Sequence, residues 1–390
     1  MRILFVTAAL PSHYLGMVPL AWACHAAGHE VRVCAQPAVA PVVLASGLPA
    51  VTAGDDLDFV SMHQGKVAGR PDPGRQYRAR TAVIDMFHDV AELMVDDVVA
   101  FARAWRPHLV VRDQVAFAAS VAAQAVGAPL VRHTWGPDVY GTDKGVWLAH
   151  EMLGRLEPVY RRHGAPVPDR FESVVVDLSP PSLRLPSRER TIPVRYVPYN
   201  GPGAVPSWAL TPGERPRVCV TWGTWTSDAT DDDSMAHLPA VVGSLCDQGM
   251  EVVAVVTAAD RARLAGSGPG VRVAESLPLH AVLPGCAAVV HHGGAGTMLT
   301  ALCHGVPQVV LPQMFDQQLN ARLLAGAGAA HTLANDAAHR AGEAVAGLLA
   351  DASCLARTEQ IRREIAEQPA PAQIVTALTG LAAATSREST

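Results

Sequence analysis

The sequence predicts an α/β protein of two domains, each a parallel β-sheet covered by helices on both faces. Three observations predict it. Short apolar runs rich in β-branched residues alternate with amphipathic segments. That alternation starts twice, at Arg2–Thr7 and again at Arg217–Trp222. A Pro- and Gly-rich stretch separates the two starts. Strands alternating with helices imply parallel strands buried on both faces, and 390 residues that are 49% hydrophobic suffice for two cores.

In order along the chain, Arg2-Ile-Leu-Phe-Val-Thr7 reads as a buried strand. Met17, Leu20, Ala21 and Cys24 fall at i, i+3, i+4 and i+7, one face of a helix. Gly28 stops that helix, and Val31 and Val33 mark the next strand. The stretch between 55 and 90 shows no regular pattern and is expected as an irregular, mobile acceptor loop. Leu109-Val-Val111 and Leu130-Val131 read as strands around a helix through Ser120–Ala125. The segment Pro198-Tyr-Asn-Gly-Pro-Gly-Ala-Val-Pro-Ser207, running on to Pro212-Gly213, breaks regular structure. The first domain is therefore placed at 1–200, a linker at 201–215 and the second domain at 216–390. Glu251–Val256, Ala288–Val290 and Gln308–Leu311 are the strands of the second half. Cys354–Leu381 reads as helical and is expected to pack back across the hinge.

Composition excludes several classes. Charged residues are 17% and the net charge is −5, with no basic patch, so nucleic acid is not expected as a partner. Arg184–Arg190 carries a Glu in a Pro-rich region and reads as a solvated loop. Seven scattered cysteines without a C-x-x-C pair point to a reducing compartment and away from a structural zinc site. The opening apolar run is short and interrupted by His13 and Tyr14, unlike a signal peptide. No apolar run reaches the roughly 18 residues of a spanning helix. A soluble cytoplasmic protein that does not bind membranes is the expectation.

The most specific motif is Val289-Val-His-His-Gly-Gly-Ala-Gly-Thr297. A strand ends at Val290, a Gly-rich loop follows, and a helix begins near Thr297. Such a loop lets phosphate approach the backbone, while the helix N-terminus supplies unpaired N–H donors and partial positive charge. His292 and the Thr297 hydroxyl add donors, which is what a departing nucleotide diphosphate needs. A P-loop would require Lys, which is lacking here, and a dinucleotide fingerprint is missing from residues 8–16. Asp316 and Gln317 follow the next strand and offer donors and acceptors suited to sugar hydroxyls; Asp316 would equally cap the helix that follows. Two Asp-x-Asp spacings, Asp56-Leu-Asp58 and Asp231-Asp-Asp233, read as surface loop and helix cap rather than metal–diphosphate sites.

These segments, together with Ser12–Ala23, Ala26–Arg32 and Asp316–Arg322, resemble the GT-B glycosyltransferases of family 1. Among these the chain most resembles actinobacterial enzymes that attach deoxysugars to polyketide antibiotics. The matching segments span nearly the whole chain in the family's order. The resemblance implies two facing Rossmann-like domains with a cleft between them, no metal and no cofactor, and inverting transfer from a TDP-deoxysugar to a hydrophobic acceptor. It places the diphosphate on His292, Gly294, Ala295, Gly296 and Thr297, with Gly223 and Thr224 nearby. It places the sugar on Asp316 and Gln317, and the base on Ser276 and Leu277. Plant relatives stack a Trp where this chain has Ser276, so the base edge falls to Leu277 backbone atoms. The resemblance leaves open an aromatic or a macrolide acceptor, transfer to oxygen or carbon, a homodimer, and the separate activator protein that some relatives need. A nucleotide-sugar epimerase or a non-catalytic nucleotide-sugar-binding partner of the same fold are the alternative functions.

In the first half, His13 follows the first strand at its carboxyl end, where ligands bind in such sheets. An acceptor hydroxyl is a poor nucleophile until it loses its proton, and an imidazole titrates in the right range to take it. Asp113, at the end of Leu109–Val111, is placed to orient that imidazole and stabilise its cation, though it also suits a helix cap. The family uses such a pair at matching positions. Sixteen of the twenty aromatic residues precede residue 200, which puts an apolar acceptor pocket in the first half. Phe59, Met62, Met86, Phe87, Phe117, Trp135 and Tyr140 are its candidate walls. His133, beside Trp135, suits that site or a structural role equally.

Overall fold

The β-branched runs pair into two sheets whose neighbouring strands all run parallel. The structure, a computed structural model, describes the chain apart from residues 9, 57–74, 212, 224–236, 269, 276, 314 and 389–390. Among the described residues the first sheet contains β1 (Arg2–Val6), β2 (Glu30–Ala35), β3 (Ala50–Thr52), β4 (Leu109–Arg112), β5 (Leu130–His133), β6 (Val174–Asp177) and β7 (Thr191–Pro193). Their order is β3-β2-β1-β4-β5-β6-β7. The second contains β8 (Arg217–Thr221), β9 (Glu251–Val256), β10 (Val271–Glu275), β11 (Ala288–His291), β12 (Gln308–Val310) and β13 (Ala330–Thr332). Their order is β10-β9-β8-β11-β12-β13.

Each order reverses beside its first strand, between β1 and β4 and between β8 and β11. Loops leaving the carboxyl ends diverge there, and the crevice they leave is the usual ligand position. Register fixes which residues meet. Val6 pairs with Arg112, which brings Thr7 beside Asp113. Thr221 pairs with His291, which brings Trp222 beside His292.

The chain divides into two compact units, both Rossmann-like α/β layers. The first holds 1–179, 184–195 and 369–390; the second holds 180–183 and 196–368. In the second unit, alternate residues of one strand serve opposite faces. Val218 and Val220 of β8 pack with Val241, Leu245 and Val345, whereas Cys219 between them packs with Val282 and Ala301. Apolar side chains on both faces are what a sheet sandwiched between helices requires. In the first unit, Val6 and Val110 from the sheet pack with Met94 and Val98 of the helix Arg75–Trp105. No described helix is long and apolar enough to cross a membrane.

One expectation is corrected, and one is made more detailed. The irregular loop expected to 90 gives way at residue 75 to the helix Arg75–Trp105. Ile84, Phe87, Ala91, Met94, Val98 and Ala102 recur at three- and four-residue spacing along it, and the charged residues between them mask the period. The C-terminal segment is two helices, Ala352–Glu367 and Pro371–Glu388, because Gln368 is extended (φ −63°, ψ 149°) ahead of Pro369. The first lies in the second unit and the other in the first.

Candidate functional site

In the second unit, β11 delivers His291 and His292 into the Gly293-Gly294 turn, and the helix Ala295–Cys303 starts at once. His291 is fully buried and holds the turn. Its Nδ1 accepts the Gly293 N–H at 3.0 Å, and its Nε2 lies 2.9 Å from Gln308 Oε1. That pairing assigns the proton to Nε2. Asn320 Nδ2 donates to the Gly293 carbonyl at 2.8 Å, and Gly293 sits at φ +95°, where a side chain would be strained. Burial pushes His291 down to about 3.

The ring of His292 is bounded by two glycines. A Cβ at Gly294 would lie 2.5 Å from Nε2, and one at Gly223 would lie 2.9 Å from Cε1. His292 is 7% exposed, and burial pushes it down to about 4, so it is a neutral imidazole at pH 7. Ala295 and Thr297 are buried on the first helical turn, and Gly296 is exposed between them. The Gly296 carbonyl accepts Thr300 Oγ1 at 2.6 Å and the Tyr196 hydroxyl at 3.3 Å. Gln317 is buried on the helix Phe315–Gly326, with Oε1 accepting the Gln313 N–H at 2.9 Å; Asp316 beside it is exposed. Leu277, partly buried, packs against the apolar cluster that contains Val282 and Val289. Thr224 and Ser276 lie outside the described residues.

In the first unit, Asp113 ties the two central strand ends together. Its Oδ2 accepts Thr7 Oγ1 and the Ala8 N–H, both at 2.9 Å. Its Oδ1 accepts the N–H groups of Val115 and Ala116 at 2.7 and 2.8 Å. The same Oδ2 lies 3.8 Å from Nδ1 of His13, longer than a hydrogen bond but within ion-pair reach. Asp113 is thus both the cap of its own loop and the charge facing His13, which stands on the short helix Pro11–Leu15. The indole of Trp135 lies flat on the His13 ring, with centroids 4.1 Å apart and planes 13° from parallel. His133 is buried at the end of β5, where burial pushes it down to about 4 and the Asp113 charge opposes that.

The loop carrying Trp135 is anchored by Asp138, whose carboxylate pairs with the buried Arg132 guanidinium (Nη2 to Oδ2, 3.2 Å). Arg132 also faces Glu172 at 3.8 Å, and Glu172 pairs with Arg112. Tyr140 lies under the Arg132 guanidinium, 5.8 Å from ring centre to Cζ. Phe117 is not a wall residue. It is 1% exposed, with the Arg112 guanidinium 4.6 Å from its centroid and Phe171 5.1 Å away. Met86 and Phe87 pack partly buried against the same core. Phe59 and Met62, like Asp58 and Asp231–Asp233, lie outside the described residues. Sequence reading named His291 in its motif without giving it a role, and missed the roles of Gln308, Asn320 and the Arg112–Glu172–Arg132–Asp138 cluster, since nothing in the spacing of these last sets them apart from ordinary strand and helix residues.

Residues 22–223 match the family described as "Erythromycin biosynthesis protein CIII-like, N-terminal domain", and residues 239–381 match its C-terminal domain. The chain is 37% identical to a 10-deoxymethynolide desosaminyltransferase of Streptomyces venezuelae, over 98% of this chain and 97% of the relative. It is also 37% identical to an aklavinone 7-beta-L-rhodosaminyltransferase of Streptomyces galilaeus, over 98% and 96%. Among solved structures, the glycosyltransferase VinC in complex with dTDP matches with a TM-score of 0.84 and 31% identity, over 98% of this chain and all of that one. The spinosyn rhamnosyltransferase SpnG complexed with thymidine diphosphate matches with a TM-score of 0.84 and 33% identity, over 97% and 100%. The chain belongs to the erythromycin biosynthesis protein CIII-like family of GT-B glycosyltransferases.

Proposed function

We propose that the chain moves a deoxysugar from a TDP-linked donor to a polyketide acceptor, with inversion and without a metal. One observation carries this reading. In each unit the chemistry-bearing residues stand at the carboxyl ends of the two strands where strand order reverses: His13 and Asp113 after β1 and β4, Gly223 and His292 after β8 and β11. The relatives support the substrate classes. They include a TDP-daunosamine transferase of Streptomyces peucetius, and SpnG has been solved with a spinosyn aglycone.

In the proposed step, the acceptor hydroxyl gives its proton to His13. Nδ1 is on the Asp113 side, which leaves the base role to Nε2. The freed oxygen forms a bond to the anomeric carbon, and the bond from that carbon to the diphosphate breaks, its electron pair leaving on the diphosphate oxygen. Asp113 stabilises the imidazolium, a contribution of about 10²–10⁴-fold for the base as a whole. The diphosphate is held by neutral His292 and by the N–H groups opening the helix Ala295–Cys303, with Thr297 beside them. Preorganised donors of this kind cost on the order of 3 kcal/mol each when removed. Asp316 and Gln317 hold the sugar, Leu277 meets the base, and Tyr140, Met86 and Phe87 bound the acceptor. The reading places the enzyme in the cytoplasm, where its seven cysteines would stay reduced.

Thermal melting with TDP, UDP, ADP and NAD in EDTA tests the donor site. TDP should raise the midpoint in the native protein and not in His292→Ala. A rise with NAD alone, or with no diphosphate, would overturn the reading. Sugar turnover without an acceptor would favour an epimerase.

A further inference from the structure

An aromatic side chain next to a ligand site is usually a wall, and the sequence places Trp135 among such walls. The geometry points elsewhere. The indole covers one face of the His13 imidazole at 4.1 Å and within 13° of parallel, so that face meets indole rather than acceptor. The opposite constraint comes from Asp113, 3.8 Å from Nδ1. Between the carboxylate at its edge and the indole on its face, the ring has one plane to occupy. The loop that presents Trp135 is itself pinned by the Arg132–Asp138 pair, both members of which are buried.

We propose that Trp135 is a positioning residue for the base: its indole fixes the imidazole plane and stabilises the cation that His13 becomes on taking the acceptor proton. The π-face of an indole attracts a cation more strongly than phenyl does, and the attraction grows where water is excluded. His13 is about 15% exposed, so much of its face is dry. Among the described residues, the ionisable groups on the Asp113 side of His13 are Asp113 itself and, interacting with it, His133; both stay in place in the variants below. Arg132 and Asp138 are paired with each other on the loop. The proposal rests on the reading of His13 as the base.

The test reads His13 directly. Protein labelled with ¹³C in the histidine rings is titrated by NMR without substrate, and the His13 Cε1–H signal is identified as the one missing from His13→Ala. In the native protein that signal should be shifted upfield by the indole ring current. In Trp135→Leu, which keeps the site apolar, the upfield shift should vanish and the His13 midpoint should fall by about half to one and a half pH units. Trp135→Phe should restore part of both. If Trp135→Leu does not fold by near-UV circular dichroism, Trp135→Phe carries the test alone, with a smaller fall expected. A midpoint that stays or rises in a folded variant overturns the proposal. A midpoint that falls as expected, in an enzyme whose His13→Ala variant still transfers sugar, leaves the stack standing and removes the base role instead.

Discussion

At the scale of single residues, the phosphate-side loop shows why spacing alone names a motif without explaining it. The run of His, Gly and Ala at 291–297 is legible because those residue types seldom gather by accident. What each glycine is for is not legible. Gly294 has φ −62°, which any residue adopts, so its requirement is spatial: a Cβ would press on His292 Nε2. Gly294→Ala should therefore weaken TDP binding at least tenfold by calorimetry while shifting the melting temperature little; unchanged affinity would show that His292 need not hold its place. The buried imidazoles make a second prediction. His133, His291 and His292 are held near 4, 3 and 4, below their ordinary 6.5. Between about 6.5 and 4 the unfolded chain binds protons that the native chain does not. Stability is thus complete above 6.5 and falls as pH drops, by about 1.4 kcal/mol per pH unit for each group. Melting temperatures at pH 7.5 and 5.5 should differ accordingly, and His133→Leu should show a shallower loss. An equal slope would mean that His133 is not buried neutral.

Among elements, the strand ends do more than end. β4 ends on Arg112 and β5 carries Arg132 one residue before its end, both nearly inaccessible, and the carboxylates of Glu172 and Asp138 meet them from the loops. Asp138→Ala takes away the carboxylate that Arg132 hydrogen-bonds and leaves it facing Glu172 at 3.8 Å, which is itself paired with Arg112. Loss of one partner from a buried pair costs about 3–5 kcal/mol, so denaturant melts should show a change of that order; a change below about 1 kcal/mol would mean that water reaches the pair. The apolar strands themselves were readable, since β-branched runs need no partner to be recognised. The arginines at or next to their ends were not, because a charge near a strand end looks like the start of a solvated loop. The helix Arg75–Trp105 was hidden for the opposite reason: its charged residues occupy the outward positions and dilute an apolar stripe that is complete on the other side.

For the whole molecule, the doubled α/β pattern was legible because the chain begins it twice. That the C-terminal segment divides at Gln368 between the two units was not, since an amphipathic period does not mark where one unit stops and the other resumes. The helix Pro371–Glu388 buries Ile374, Val375 and Leu378, packs on the helix Val18–Ala26 and β4, and so completes the first unit. A fragment of residues 1–195 should bind a dye specific for exposed apolar surface and give weak near-UV circular dichroism. Fusing residues 369–388 to it through a flexible linker should restore a cooperative melt. A fragment that melts cooperatively without them would show the last helix to be dispensable.

The same arrangement sets a timetable during synthesis. The strands of the first unit leave the ribosome early, but the helix that covers β4 and Val18–Ala26 is made only after the strands of both units. At ordinary elongation rates about 10–40 s of translation separate residue 195 from residue 388. During that interval the second unit is made and, once residue 368 is out, has its sheet and helices complete, while the first still holds an apolar face open to water. The half begun first is closed last, and a nascent-chain chaperone would find its binding surface there.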